Sequence, residues 1–156
     1  MPSARHRFLK AMGESGFWRV AGRIHTYMYR RSGGRLGATG GGLNHLLLTT
    51  TGRKSGKERT CPLTYLKDGE DFVLVASNGG SDRPPAWFHN LSADPSVRLE
   101  VEGRTVHARA RTASTEERAR LWGALKEYNP FYGDYEQITD REIPVVVCSI
   151  TTERNP

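Results

Sequence analysis

Four cationic side chains crowd one short turn. In TTTGRKSGKERTCPL, residues 49–63, Arg53, Lys54, Lys57 and Arg59 gather around Gly52 and Gly56 between two apolar runs. Like charges at that spacing repel one another unless an anion lies among them, and phosphate oxygens accept charge-assisted bonds from both Arg and Lys. Backbone amides of a glycine-bearing turn would add an anion-binding concavity. A plain solvated turn is the alternative. A nucleotide P-loop does not fit. That motif needs four residues between its glycines, a Ser or Thr after the Lys, and a helix beyond. Here three residues separate Gly52 from Gly56, Glu58 follows Lys57, and a strand-like run comes next.

Two further groups could do chemistry. In ASNGGSDRPPAWFHNL, Ser77 and Asn78 precede the pair Gly79 and Gly80, and Trp87 and Asn90 follow. Glycine lets a flat ring or a phosphate approach the backbone, and the asparagines offer paired donors and acceptors. A strand-to-helix loop with Trp87 in the core is the plain reading. In EYNPFYGDYEQITDREIP, Tyr128, Phe131, Tyr132 and Tyr135 surround Pro130 and Gly133. An irregular aromatic stretch suits the lining of a pocket for a flat apolar molecule, and a phenol can orient a carbonyl or donate a proton. The rings could equally cap a core.

Other chemistries find little support. His6, His25, His45, His89 and His107 lack metal-site spacing, so no metal is expected. No G-x-S-x-G elbow is present. Cys61 and Cys148 both sit in apolar strand-like stretches, which points to a reducing cytoplasm rather than a disulfide framework. An enzyme of this composition would rely on a borrowed cofactor. The net charge of +6 is unevenly placed. Residues 1–44 carry eight cations against one acid, Glu14, while the remainder is nearly neutral. A neutral body argues against nucleic-acid binding, which needs a broad basic stripe. The basic lead-in instead suits an anionic lipid surface, as a peripheral contact on the inner face of the cell membrane.

These groups need elements to hold them. GFWRVAGRIHTYMYRR places Phe17, Val20, Ile24, Tyr27 and Met28 at helical spacing, an amphipathic helix that either covers the core with that row or lies on a membrane. A glycine-rich loop follows to residue 44. From His45 the pattern is strands: HLLLTTT, RTCPLTYLK and DFVLVAS, then a short helix, then the hairpin SVRLEVEGRTVHARART turning at Glu102-Gly103, and finally IPVVVCSI. Ser114 with Glu117 makes a capping box for a helix through about Tyr128. Tight turns imply antiparallel pairing, and six strands around one core imply a barrel, because closure removes exposed edges. The expected division is residues 1–44, a basic helix and loop, and residues 45–156, the barrel domain. The class is mainly β with flanking helices.

Three blocks, LLLTTTGRKSGKERTCPLTYL, VLVASNGGSDRPPAWFHNLSADPSVRLEV and YGDYEQITDREIPVVV, together resemble the deazaflavin-dependent nitroreductase family. These are the actinobacterial quinone and nitro reductases that use coenzyme F420. The resemblance implies a six-stranded antiparallel split β-barrel of the flavin-reductase and pyridoxamine-oxidase type. It also implies hydride transfer from the reduced deazaflavin to a quinone, nitro or enone acceptor. It assigns Arg53, Lys54, Ser55 and Arg59 to the coenzyme's phosphate. Ser77, Asn78, Gly79 and Gly80 would lie along the deazaflavin, with Trp87 and Asn90 supporting the pocket. Tyr65, Tyr128, Tyr132 and Tyr135 would line the acceptor side, Tyr132 and Tyr135 being the catalytic candidates. Asn129 stands where the nitro-drug-activating member carries a tyrosine, which bears on nitroimidazoles more than on the coenzyme. Such barrels often pair as homodimers. An oxidoreductase of the same fold using flavin mononucleotide (FMN), and a non-catalytic carrier of cofactor or lipid, are the competing readings.

Overall fold

The computed structural model describes residue 7 and residues 16–151. Its elements are α1 (Phe17–Arg31), β1 (Thr39–Gly40), β2 (Leu43–Thr51), β3 (Glu58–Asp68), β4 (Asp71–Val75), a one-turn 3-10 segment (Asn78–Gly80), α2 (Ala86–Ala93), β5 (Ser96–Val101), β6 (Arg104–Thr112), α3 (Thr115–Tyr128), α4 (Phe131–Ile138) and β7 (Val145–Ile150). Every pairing is antiparallel. The sheet runs β2-β3-β4-β7-β6-β5 and closes when β5 pairs with β2 at Leu47↔Glu100, Leu48↔Leu99 and Thr49↔Arg98. The result is a closed six-stranded barrel, with β1 a two-residue extension on β2.

Two cores explain the strand patterns. Inside the barrel, Leu46, Leu48, Leu74, Leu99, Val146 and Cys148 meet Trp87 and Leu91 from α2. Outside it, Val73, Val75, Val145 and Val147 are covered by Leu121, Trp122 and Leu125 of α3 and by Tyr132 of α4. β4 and β7 are therefore buried on both faces and show no alternation. β5 keeps a clean one, with Val97, Leu99 and Val101 inward. The Ser114 hydroxyl accepts the Glu117 amide at 3.2 Å, so the expected cap starts α3, which ends at Tyr128. Glu102 and Gly103 turn the β5–β6 hairpin at φ of 50° and 74°.

Two expectations need correction. The tyrosine-rich stretch is a helix from Phe131 rather than irregular, because Pro130 starts it with its φ already fixed near the helical value, and the Asn129 Oδ1 and carbonyl accept the Phe131 and Tyr132 amides at 3.2 and 3.1 Å. The apolar row of α1 does not cover the core. Ile24 is 56% exposed and Tyr27 66%, and Val20 and Met28 also face outward. The helix docks by another face. Gly22 lies against Pro62, Tyr29 is fully buried, and the His25 Nε2–H donates to the Gly37 carbonyl at 2.7 Å. Arg30 grips Glu100 through two bonds of 3.0 and 2.7 Å. Small residues bring this face of the helix to the sheet; bulky apolar ones are left outside.

Leu74 has no exposure inside the barrel. Leu74→Ala should cost about 2–5 kcal/mol in urea denaturation, from lost transfer energy and a residual cavity. A loss under about 1 kcal/mol would contradict a packed interior at this position.

Candidate functional site

The basic turn is held by one buried side chain. Asn90 of α2 accepts the Arg53 amide on Oδ1 at 3.1 Å and donates from Nδ2 to the Thr50 hydroxyl at 3.1 Å. Because an amide N–H can only donate, this pairing also fixes which way the Asn90 carboxamide points. The turn closes on itself through Gly52 N to Lys57 O and Gly56 N to Gly52 O, both 2.8 Å, and the Lys57 amide meets Ser55 Oγ. Four amides of the turn are therefore committed within the protein, and the expected backbone concavity gives way to side-chain charge. Arg53, Lys54, Lys57 and Arg59 are exposed and have no acidic partner among the described residues. The one acid in the stretch is drawn off: Glu58 forms two bonds to Arg98, 2.8 and 3.2 Å, which hold its carboxyl below the usual range.

The loop after β4 has an unusual backbone. Asn78, Gly79 and Gly80 are all left-handed, with φ of 48°, 62° and 81°. Bonds from Gly80 N to Ser77 O (2.9 Å) and from Ser81 N to Asn78 O (3.1 Å) make two overlapping turns with both central φ values positive. That geometry demands the sequence Asn-Gly-Gly, since a left-handed position costs most residues roughly 1–2 kcal/mol. The Asn78 side chain locks the loop by donating to the Arg83 carbonyl at 2.9 Å. A Cβ on Gly80 would sit 3.4 Å from the Tyr135 Cα and 3.5 Å from Ile138, so the loop backbone runs directly beside α4.

The tyrosines separate by position. The Tyr135 backbone lies beside the loop, while its ring stacks on the exposed Phe131 at 6.4 Å, lies 6.5 Å from Tyr132 and packs on the outer core. Tyr132 is only 6% exposed and stacks on Trp122 in the outer core. Tyr65 lies in the barrel interior, edge-on to Phe72. The Tyr128 hydroxyl accepts the Asn44 amide at 2.6 Å, and burial raises the Tyr65 phenol, with the nearby Glu102 and Tyr128 adding to it. Burial pushes the Tyr132 phenol up to about 12, and burial also raises Tyr135. Both are protonated at neutral pH and able to donate. Trp87 is core, edge-to-face with Phe88. Thr50 and Asn44, at the basic and tyrosine ends of β2, are roughly 20 Å apart at the usual strand rise. Burial lifts both thiols, Cys61 and Cys148, to about 12, so neither offers a thiolate.

One residue of the site carried no signal in the sequence. Arg141 reaches the loop after β4 from the segment ahead of β7, sixty-odd residues later. Its contact is a product of the β4–β7 pairing alone, and no spacing rule could have found it.

Comparison with known proteins adds to this geometry. The F420H(2)-dependent quinone reductase family matches residues 21–150. An F420H(2)-dependent quinone reductase of Mycobacterium tuberculosis (strain ATCC 25618 / H37Rv) is 41% identical over 131 residues, covering 81% of this chain and 88% of the relative. A solved F420-H2 dependent reductase (FDR-A) superposes with a TM-score of 0.63 at 37% identity, covering 67% of this chain and 93% of that one. A structure described as a domain-swapped dimer superposes with a TM-score of 0.66 at 34% identity, covering 81% and 96%. The architecture is the split barrel of the flavin-reductase and pyridoxamine-oxidase type.

Tyr132 sets an alkaline limit. Its folded pKa, about 12, lies above the ordinary 10.0, so the burial of its neutral phenol stabilises the fold fully below pH 10. That contribution is lost as pH rises from 10 toward about 12. Phenolate absorbance and circular dichroism should therefore change together in this window for the wild type, and Tyr132→Phe should flatten the alkaline loss. A native-like protein with Tyr132 already ionised at pH 10 would contradict this burial.

Proposed function

The chain belongs to the F420H(2)-dependent quinone reductase family, and from that premise we propose that the basic turn, the Asn-Gly-Gly loop and Tyr135 form one coenzyme and acceptor site. The protein is an oxidoreductase whose coenzyme is F420 and whose acceptor is a flat, quinone-like molecule. The family match does not favour the FMN and carrier readings. The observation that carries the site assignment is the turn's charge: four exposed cations with no acidic partner among the described residues, on a backbone pinned by buried Asn90, with the adjacent Glu58 paired to Arg98.

The residues present fit the coenzyme. Arg53, Lys54 and Arg59, with the Ser55 hydroxyl, supply donors suited to a phosphate. In the left-handed run at 78–80, Gly79 has no side chain and is half-buried, which leaves the loop backbone approachable by a ring at that residue, while Gly80 is buried beside α4. Arg141 holds a buried Nη1 without a hydrogen-bond partner beside that loop. When bound, reduced F420 supplies the hydride. The chain supplies orientation, which is where most of the rate advantage of joining two flat reactants lies. Trp87 and Leu91 pack the helix that carries Asn90, so the charged turn is indexed to the barrel core. Tyr135, protonated and next to the loop, is placed to donate to the acceptor oxygen that gains charge. Tyr132 stands behind it, buried against Trp122. Of the two catalytic candidates, Tyr135 is therefore assigned the contact and Tyr132 the support. Tyr65 and Tyr128 complete the wall at the other end of β2.

The N-terminal unit, residues 1–44, adds a surface role. Ile24, Val20, Tyr27 and Met28 form an exposed apolar row on α1. A groove of about 450 Å³ between the helix and β3 is lined by Arg23, Arg30, Arg31, Tyr27, Thr26 and Thr60. Arginines beside an exposed apolar row suit a peripheral contact with an anionic membrane, on the inner face of the cell membrane. Among the described residues no helix is long and apolar enough to cross a bilayer. A homodimer packed through α1 would cover the same row, and one structural relative is a domain-swapped dimer.

Two substitutions separate binding from chemistry. Arg53→Ala should raise the Kd for F420 by about tenfold or more, the worth of one charge-assisted bond, with kcat at saturating coenzyme nearly unchanged. Tyr135→Phe should leave that Kd alone and lower kcat for quinone reduction by roughly 10²-fold. The reverse pattern, from fluorescence titration and steady-state kinetics, would overturn both roles. For α1, flotation with anionic vesicles should be lost in Ile24→Glu/Met28→Glu. A doubled mass by light scattering with no flotation would assign the row to the dimer instead.

A further inference from the structure

The left-handed loop turns several carbonyl oxygens toward one place, and a single guanidinium occupies it. Arg141 donates from Nε to the Ser81 carbonyl at 2.9 Å and from Nη2 to Ala76 at 3.1 Å, Ser77 at 2.9 Å and, more distantly, Arg83 at 3.5 Å. These acceptors lie on both sides of the Asn78–Gly80 turn, so Arg141 ties its entry to its exit. No carboxylate provides one of these bonds; nearby Asp82 contributes through space, and burial lowers the Arg141 pKa from its usual value. A cation whose hydrogen bonds all go to backbone carbonyls acts as a geometric fastener. Without it, four converging oxygens would repel one another and the strained turn would lose the contact that closes it.

We propose that Arg141 is a positioning residue for coenzyme binding, fastening the Asn-Gly-Gly loop in its left-handed form before the coenzyme arrives. This rests on the reading of residues 77–80 as the coenzyme loop. The physical link is the planarity of the peptide. In a trans peptide the C=O and the following N–H point opposite ways. Drawing the carbonyls of Ala76 and Ser77 onto Arg141 therefore turns the amides of Ser77 and Asn78 to the other side of the loop. Arg141 thereby decides which backbone donors a ring lying along the loop would meet. Its segment is itself fixed. The Thr139 hydroxyl accepts the Arg141 amide at 3.3 Å, and Pro144, just before β7, accepts the Ala76 amide at 3.0 Å. The fastener's segment is thus registered to the barrel at Pro144, and at Thr139 also to the exit of the loop, where the hydroxyl donates to Asp82 at 3.5 Å.

The test compares wild type, Arg141→Lys and Arg141→Ala in the full chain by hydrogen–deuterium exchange without coenzyme and by F420 titration. Arg141→Ala should speed exchange across residues 76–83 by tenfold or more while β4 and β7 stay protected. It should raise the F420 Kd by a similar factor, with millimolar methylguanidinium restoring part of both. Arg141→Lys should fall between, since one ammonium cannot reach carbonyls on both sides of the turn. Unchanged exchange in the loop overturns the proposal, as does a weakened Kd that methylguanidinium does not improve. If Arg141→Ala does not fold, Arg141→Lys decides by the same two readings. A wild type that fails to bind F420, with the loop exchange responding as described, would sink the coenzyme-site reading and leave the fastening established.

Discussion

The structure depends on β2 being paired on two sides at once. Its middle is bonded to β3 along the whole strand and to β5 at three residues, and that second ladder closes the barrel. Closure makes β2 the common reference for the site. Its end at Thr50 and Thr51 feeds the basic turn, and its start at Asn44 receives the Tyr128 hydroxyl. Its outer face carries Leu47, fully buried, next to Pro62, the residue that meets Gly22 of α1. A register slip by one residue would exchange the inner and outer faces, detaching Asn90 from Thr50 and moving every group that depends on it.

Charge is organised by where the acids go. Glu58 is taken by Arg98, Glu100 by Arg30, Asp68 by Arg120 and Glu117 by Arg111, each through two bonds. Exposed pairs of this kind contribute little to stability. Their consequence is electrostatic: Glu58, the acid that adjoins the basic turn, is committed to Arg98, and Arg53, Lys54, Lys57 and Arg59 have no acidic partner among the described residues. The loop after β4 works by the opposite rule. There a cation is matched to backbone dipoles, and rigidity rather than charge is the product.

The aromatic segment shows how a polar residue can change the use of its neighbours. Asn129 looks like a missing tyrosine when only acceptor contacts are considered. In the fold its Oδ1 accepts the Phe131 amide and its carbonyl the Tyr132 amide, so it ends α3 and meets the first turn of α4. The aromatic run is thereby wound into a helix that buries Tyr132 against Trp122 and leaves Tyr135 half-buried beside Phe131.

The barrel was legible because its signals are local. Alternation in β5, two-sided apolar runs in β4 and β7, the Glu102-Gly103 turn and the Ser114 cap each follow from backbone sterics or burial within a few residues. The Asn-Gly-Gly run signalled a close approach to the backbone, but its three successive left-handed positions are a finding of the structure. The sequence alone therefore determined the strands, the turns and the types of residue at the site. It did not determine which face of α1 would dock, because its docking face is built from Gly22, His25 and Tyr29 fitting against Pro62, Gly37 and the β5–β6 turn, a match of shape rather than of hydrophobicity. Nor could it place Glu58 on Arg98, Asn90 on Arg53 or Arg141 on the loop. Those bonds join residues brought together only by barrel closure, and no periodicity along the chain records a distance that exists only across the sheet.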